Sequence, residues 1–268
     1  MKILTWNINS VRLRAPLVIK AIQALAPDIV CLQETKCPDP QFPEKIFRDA
    51  GYEHAHFTGM KGYNGVAILS RVPFHTVDKW DRFGKADCRH AAVEVISPKF
   101  KKPVQIHNLY IPAGGDIPDV NVNEKFAHKL GFVDEMGKFF ADTYTRTDPI
   151  VVVGDFNIAP LVNDVWSHKQ LLDVVSHTPI EVEKLTAMQN SIGWVDAIRH
   201  FTPEPEKVYT WWSYRNKDWK ASNRGRRLDH IWVTPPLKDH LKGYKILSDA
   251  RDWTQPSDHV PVMIELDL

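Results

Sequence analysis

Residues 151–160, Val-Val-Val-Gly-Asp-Phe-Asn-Ile-Ala-Pro, constrain this chain more than any other stretch. Three β-branched residues in succession read as a strand buried on both faces, because a half-exposed strand would alternate with polar residues. The run breaks at Gly154, and Pro160 prevents continuation. Asp155 and Asn157 are therefore delivered at the strand's end. Side chains two apart on a strand share a face. Both can face one cavity while Phe156 faces the core. A carboxylate and a carboxamide placed there can position a water and hold a scissile group. Gly, Asp, Asn and Pro also make ordinary turns, so the stretch by itself supports both readings.

Other strands end in the same way. Residues 2–7 read as a strand ending on Asn7. A helix follows, with Ser10 as its cap and Pro16 in or near its first turn. Leu17, Ala21, Ala24 and Leu25 form its apolar face, and it stops before Pro27. In residues 28–34, Ile29, Val30, Cys31 and Leu32 give way abruptly to Gln33-Glu34-Thr35-Lys36. Shorter strands are expected over 52–58, 65–70 and 91–96, and an apolar one over 103–110 ends on Tyr110. Residues 123–144 read as a long amphipathic helix, 161–178 as helix plus loop, and 181–192 as a further helix. Strands over 228–233 and 260–266 close the chain. Strands alternating with helices argue for an α/β protein. Trp6-Asn7-Ile8 is echoed by Phe156-Asn157-Ile158, which suggests two similar halves, each with a sheet. No composition shift marks a linker, so one domain is expected over 1–268.

Asn7, Glu34, Tyr110, Asp155, Asn157, Asp229, Asp258 and His259 all end or abut apolar strands. Strand ends and the loops beyond them build the sites of sheet-based enzymes. Each residue alone has an ordinary reading as a solvated charge, a turn former or a satisfied histidine. As a converging set, they imply phosphodiester hydrolysis. Carboxylates with carboxamide oxygens suit a hard ion such as Mg²⁺ or Mn²⁺. Such an ion stabilises charge on a phosphoryl group. A carboxylate or histidine orients the water, and an aspartate fixes the histidine tautomer. No HExxH motif, clustered Cys/His, GxxxxGK[ST] or GxGxxG occurs, so zinc and nucleotide-cradling loops are not supported.

The formal net charge is only +1, so contact with a polyanion requires a local patch. Residues 207–227 supply one. They hold seven bases against one acid, Asp218, interleaved with Tyr209, Trp211, Trp212, Tyr214 and Trp219. Bases among aromatics suit a phosphate backbone with a sugar or base to stack on. The competing reading is a solvated loop with its tryptophans in the core. The three cysteines form no CxxC pair. That argues against a disulfide framework and for a reducing, cytoplasmic location. Asparagines interrupt the first residues too early for a signal peptide. No apolar run is long enough to span a membrane, and nothing demands more than a monomer.

Seven segments together carry a resemblance. They are Trp6-Asn7-Ile8-Asn9, Leu32-Gln33-Glu34-Thr35-Lys36, Tyr63-Asn64-Gly65-Val66-Ala67, Leu109-Tyr110-Ile111-Pro112, Gly154 to Pro160, Arg227-Leu228-Asp229-His230 and Pro256-Ser257-Asp258-His259. In order and spacing they resemble the exonuclease III family, the apurinic/apyrimidinic (AP) endonucleases of base-excision DNA repair. The bacterial branch is the nearer match, because no N-terminal extension precedes the first motif. The resemblance implies a four-layer α/β sandwich, two packed mixed β-sheets flanked by helices, with the site at one end. It implies Mg²⁺- or Mn²⁺-dependent hydrolysis of duplex DNA 5′ to abasic sites. It also implies 3′-phosphatase, 3′-repair diesterase and 3′→5′ exonuclease activities.

By position in the motifs, Glu34 resembles the principal metal ligand, assisted by Asn7 and Asp258. Asp155 resembles the residue that orients or activates water, and Asn157 one that holds the phosphate. His259, paired with Asp229, would contact a phosphate oxygen or assist the nucleophile. Tyr110 would act at the leaving group or the phosphate. Trp211 and Leu228 resemble residues lining the pocket for a flipped-out abasic sugar. Arg215, Asn223 and Arg224 would contact DNA. Flipping is cheapest where the base is already lost.

Two positions depart from the family. Ala113 stands where many members carry Asn or Gln, and His177 where a small residue is expected at the pocket rim. A narrowed pocket would shift the balance from abasic cleavage toward 3′-end processing. Other readings are a DNase I-like nuclease, a sphingomyelinase, an inositol-phosphate phosphatase, or a DNA-binding module without catalysis.

Overall fold

The structure is a computed structural model describing residues 1–80, 84–216 and 218–268. In chain order the strands are Lys2–Asn7 (β1), Ile29–Gln33 (β2), His54–Met60 (β3), Tyr63–Ser70 (β4), Thr76–Lys79 (β5), His90–Val95 (β6) and Val104–Tyr110 (β7). They continue with Ile150–Asp155 (β8), Val195–Asp196 (β9), Trp211–Trp212 (β10), Gly225–Arg226 (β11), Asp229–Val233 (β12), Leu241–Ile246 (β13) and Val262–Leu266 (β14). They form two six-stranded sheets, β13-β14-β1-β2-β4-β3 and β5-β6-β7-β8-β12-β9, and a ribbon of β10 and β11.

The two sheets share one pattern of directions. In the first, β1 runs parallel to β2 and antiparallel to β14. In the second, β8 runs parallel to β7 and antiparallel to β12. Every other neighbouring pair is antiparallel. β1 and β8 thus hold equivalent places, which is the structural content of the Trp6/Phe156 echo.

The period of two assigns the faces. Ile3, Ile29 and Cys31 meet Val151, Val153 and Ile231 in the core between the sheets. The alternate residues point outward. Leu4, Trp6, Val30 and Leu32 pack with Val11, Ala15 and Val18 of the helix Val11–Leu25. Val152, Phe156 and Trp232 pack with Phe132, Met136 and Leu185, from the helices Glu124–Thr143 and Pro179–Asn190. The four-layer α/β sandwich follows directly. Each buried side chain of this size contributes about 1.5–3 kcal/mol, and both faces of β8 draw on that term. No helix among the described residues is long and apolar enough to cross a membrane.

Three local expectations are corrected. Ser10 does not cap the first helix through its side chain: its φ is 91° and it makes no capping bond. The helix start is instead held by backbone, with Ser10 N donating to Glu34 O at 2.8 Å and Val11 N to Thr35 O at 3.0 Å. Ala24 is exposed, and Val11, Ala15, Val18, Ala21, Ile22 and Leu25 form the buried face. The helix expected from residue 181 begins at Pro179, because Thr178 caps it and Glu181 completes the capping box.

Gly154 is required by space as well as conformation. Its φ is 147°, and a Cβ there would lie 1.9 Å from the Leu109 carbonyl oxygen on β7. Gly154→Ala should cost on the order of 3 kcal/mol through strain and displacement of β7. A lowered urea midpoint with an unchanged slope checks this, and an unshifted midpoint refutes it.

Candidate active site

The apolar core between the sheets ends in a polar row. Asn7 follows Ile3 and Thr5 on the inner face of β1, and Asp155 follows Val151 and Val153 on β8. In register, Tyr110 lies beside Asp155, and Asp155 beside Asp229. On the facing sheet Asn7 is paired with Gln33, and Glu34 follows. Residues from strands far apart in sequence are thereby delivered to one end of the sandwich.

Hydrogen bonds tie the row together. Asn7 Nδ2 donates to Glu34 Oε1 and to Asp155 Oδ2, each at 2.9 Å. Tyr110 Oη donates to Glu34 Oε1 at 2.9 Å. Asn157 Nδ2 donates to Asp155 Oδ2 at 3.1 Å and to Ile111 O at 2.9 Å, while its backbone N–H donates to Asp155 Oδ1 at 2.9 Å. His259 Nδ1 lies 2.8 Å from Asp229 Oδ2, and its Nε2 lies 3.5 Å from Asp155 Oδ2. Asp258 is set beside this row. Its Oδ2 accepts from Trp211 Nε1 at 2.9 Å, and its Oδ1 from Asn9 Nδ2 at 3.3 Å.

Burial gives these contacts weight. It pushes the Asp155 carboxyl up to about 7, against the pull of His259 and with the push of Asp229. It works against the His259 imidazolium, but Asp229 and Asp155 overcome it and hold the ring protonated up to about 10. Burial also opposes charge on Glu34, yet Lys36 and the bonds from Asn7 and Tyr110 keep its carboxyl below the usual range. Desolvation, with Glu34 and Asp155, holds the Tyr110 phenol protonated well above its ordinary range. At neutral pH the row offers carboxylate acceptors at Glu34 and donors at Tyr110 and His259.

The backbone around the row is strained. Asn9 (φ 47°), Glu34 (φ 51°), Lys36 (φ 50°) and Asn157 (φ 53°) all lie in the left-handed region. Non-glycine residues reach it rarely, and such strain clusters at functional sites.

The row opens into a cleft of ≈ 540 Å³. Glu34, Asn157, Asp258 and His259 line it together with Trp211, Leu228, Arg215 and Arg224. Ala113 lines it too. Two expected residues lie elsewhere. Asn223 ends a short helix, and its Oδ1 accepts from Trp212 Nε1 at 3.2 Å. His177 is 2% exposed, with Nδ1 on the Ala159 carbonyl and Nε2 on His168. Its ring is turned into the protein and does not narrow the cleft; Val175 and Ser176 line that wall instead.

The basic stretch also divides. Arg227 is fully buried between Asp164 and Asp196 and cannot meet a phosphate. Lys220 is paired with Asp252. Trp212 and Tyr209 belong to the core. Lys217 lies outside the described residues. Arg215 and Arg224 remain exposed.

The sequence profile of the Endonuclease/Exonuclease/phosphatase family matches residues 4–259. The chain belongs to that family. Its relatives include Exodeoxyribonuclease III of Haemophilus influenzae, 28% identical across 99% of both chains. Recombination repair protein 1 of Drosophila melanogaster is 31% identical across 98% of this chain and 37% of its own. Among solved structures, an AP endonuclease from Archaeoglobus fulgidus superposes with a TM-score of 0.91 at 32% identity, covering 100% of both chains. A 3′ phosphatase from Neisseria, NExo, bound to product DNA hairpin, gives 0.90 at 31% identity with the same coverage. The resemblance to the exonuclease III family read in the motifs therefore stands.

Asp155, Asp229 and His259 offer ligand atoms within 4.8 Å of one another and could hold a divalent metal. Asp229 Oδ1 is buried without a hydrogen-bond partner among the described residues. Supporting residues that sequence reasoning missed also come into view. Lys36 Nζ bridges Glu34 Oε2 and Asn9 Oδ1, each at 2.7 Å. Arg89 lies over the Tyr110 ring at 4.9 Å. Lys129, fully buried and paired with Glu181, donates to the Asn157 carbonyl at 2.7 Å. A charged residue on the apolar side of a helical pattern was the only signal for Lys129, and its partner was not readable.

Proposed function

We propose that this chain is a DNA-repair phosphodiesterase that uses Mg²⁺ or Mn²⁺ to cut duplex DNA 5′ to abasic sites and to clear blocked 3′ ends. Its 3′→5′ exonuclease and 3′-phosphatase activities would use the same site. The observation that carries the proposal is the hydrogen-bonded closure of Asn7, Glu34 and Asp155, with the Asp229–His259 pair beside it, against a cleft that Glu34 and His259 line with Trp211, Arg215 and Arg224. Its relatives include an AP endonuclease and a DNA-bound 3′ phosphatase, which supports the same reading.

The donors fit a hard divalent ion, because carboxylate and carboxamide oxygens dominate the row. Glu34, Asn7 and Asp258 would hold it. The ion would supply charge stabilisation at a phosphoryl oxygen. Both ring nitrogens of His259 already face Asp229 and Asp155, so this reading assigns the ion to the oxygen donors.

The chain's own groups divide the remaining work. Asp155 orients the attacking water and accepts its proton. The imidazolium of His259, fixed by Asp229, donates to a non-bridging phosphate oxygen. Asn157 holds the phosphate through its carboxamide. Tyr110, kept protonated, donates toward the phosphate or the departing oxygen. Preorganised donors of this kind are worth several kcal/mol in a water-poor site.

The test is a chelator-controlled assay on a duplex with one internal abasic analogue and, separately, a nicked duplex ending in 3′-phosphate. Both should be cleaved with Mg²⁺ or Mn²⁺, silent in EDTA and restored by added metal. Release of phosphate from an inositol phosphate should be absent. Metal-independent cleavage, or inositol phosphate as the better substrate, would overturn the proposal.

A further inference from the structure

Lys129 is fully buried, and no step of the reaction read above uses it. It lies on the helix Glu124–Thr143, whose other buried residues, from Phe126 to Phe140, are all apolar. Its ammonium pairs with Glu181, a side chain that is also fully buried. Burial pulls the ammonium below its usual range, and Glu181 restores part of what is lost. Room for the stem comes from Gly114, where φ is 88° and a Cβ would lie 2.8 Å from Lys129 Cδ.

The bonds of the pair run to segments that line the cleft. Lys129 Nζ donates to the Asn157 carbonyl at 2.7 Å and to the Ala113 carbonyl at 3.3 Å. Glu181 accepts from the Ser176 backbone through Oε1 at 3.0 Å and Oε2 at 2.9 Å. Its Oε2 also accepts from Thr178 N at 3.1 Å and Thr178 Oγ1 at 2.7 Å. Ala113, Asn157 and Ser176 all border the cleft. They belong to the exit from β7, the exit from β8 and the turn before the helix Pro179–Asn190. Two buried charges thus clip three loops to one another.

Among the three, Asn157 reaches the reactive row. Its φ of 53° is a conformation that persists only where the surroundings over-determine it. Its backbone N–H and its carboxamide both serve Asp155, and the carboxamide also reaches Ile111 O. Those bonds fix one side of the residue, and Lys129 fixes its carbonyl on the other. Stability does not account for the pair, because desolvation offsets the attraction and neutral residues of similar volume often serve a fold as well. What the charges add is direction.

We propose that Lys129, with Glu181 as its counter-charge, is a positioning residue that holds Asn157 in its left-handed conformation and so aligns the Asn157 carboxamide and Asp155 on the scissile phosphate, while the fold itself does not depend on the pair. This rests on the phosphodiesterase reading above. Lys129 is enclosed and would act only through the Asn157 carbonyl.

The test combines Lys129→Met with Glu181→Gln. Removing Lys129 alone would leave a buried carboxylate unpaired. The two substitutions together remove both charges at similar volume, and the glutamine oxygen can still accept from Ser176 and Thr178. The double variant should unfold at the wild-type urea midpoint. On the abasic duplex it should lose about tenfold or more in kcat with KM within about threefold, since misaligned donors are felt in the transition state. In an Asn157→Ala background the same two substitutions should cost less than about threefold, because residues that act through one another are not additive. A wild-type kcat in the folded variant overturns the proposal, and so does an equal loss in both backgrounds, which a general loosening would produce. A variant that no longer folds overturns it too, because the pair would then belong to the architecture. A wild-type protein inactive on both the abasic and the 3′-phosphate duplex overturns the phosphodiesterase reading itself, and this inference with it.

Discussion

Asp155→Asn is expected to slow phosphodiester hydrolysis by about 10³-fold while leaving duplex affinity within about threefold. The carboxylate is fully buried, so it cannot contribute to a surface grip on DNA. Its Oδ1 accepts from the Asn157 backbone, and its Oδ2 from Asn7 and Asn157 and stands opposite His259. An amide has one oxygen. It can serve the Asn157 backbone or the two carboxamides, and its NH₂ must then face a donor. The substitution thus removes the base and leaves a buried donor unsatisfied, at a cost of about 1–3 kcal/mol in stability. Single-turnover cleavage of an abasic duplex measures the first effect, fluorescence anisotropy the affinity, and urea unfolding the third. Turnover near the wild-type value in a folded variant would remove Asp155 from the chemistry.

The same residue shows what could be read beforehand. Asp155 was legible because a run of β-branched residues can only be a buried strand, and a strand that ends on Gly-Asp must present the aspartate at its end. Asn7 and Glu34 were legible for the same reason. Period two then puts Asn7 and Asp155 on inner faces; Glu34 has the parity of the outward Val30 and Leu32, and the left-handed backbone just past β2 (φ 51°) accompanies its turn into the row. His177 was misread because a motif gives position along the chain and not direction. The Ala159 carbonyl and His168 turn its ring inward. Arg227 was counted with the DNA-facing bases, yet Asp164 and Asp196, more than thirty residues away in sequence, consume its charge. Arg226, one residue earlier, faces the cleft. Adjacent residues of an extended chain point to opposite sides, so the pair could not share one environment. The sequence could not say which was buried. Ser10 failed as a cap because the carbonyls that replace it belong to Glu34 and Thr35, in another strand's exit loop. Local pattern carries the elements and their polar ends. Partners distant in sequence decide which polar groups remain free.

Glu34→Gln is the second large effect, and it separates metal binding from architecture. The substitution is isosteric. The side-chain oxygen can still accept from Asn7 and Tyr110, which now meet Glu34 Oε1 at 2.9 Å each. What is lost is the negative charge, together with the 2.7 Å ion pair from Oε2 to Lys36. That pair is partly exposed and worth little to stability, so the unfolding midpoint should move only slightly. Removing a charged oxygen ligand should instead weaken the affinity for Mn²⁺ by at least about tenfold. Cleavage should fall by about 10²-fold or more at a metal concentration that saturates the wild-type protein. Lys36 Nζ pairs with Glu34 Oε2, so a cation bound at that oxygen must compete with the ammonium. Lys36→Ala is then expected to shift Mn²⁺ affinity in the opposite direction. Mn²⁺ titration followed by electron paramagnetic resonance reads the affinity without reference to turnover. Unchanged Mn²⁺ affinity in Glu34→Gln would place the ion elsewhere, with the Asp155–Asp229–His259 cluster as the remaining candidate.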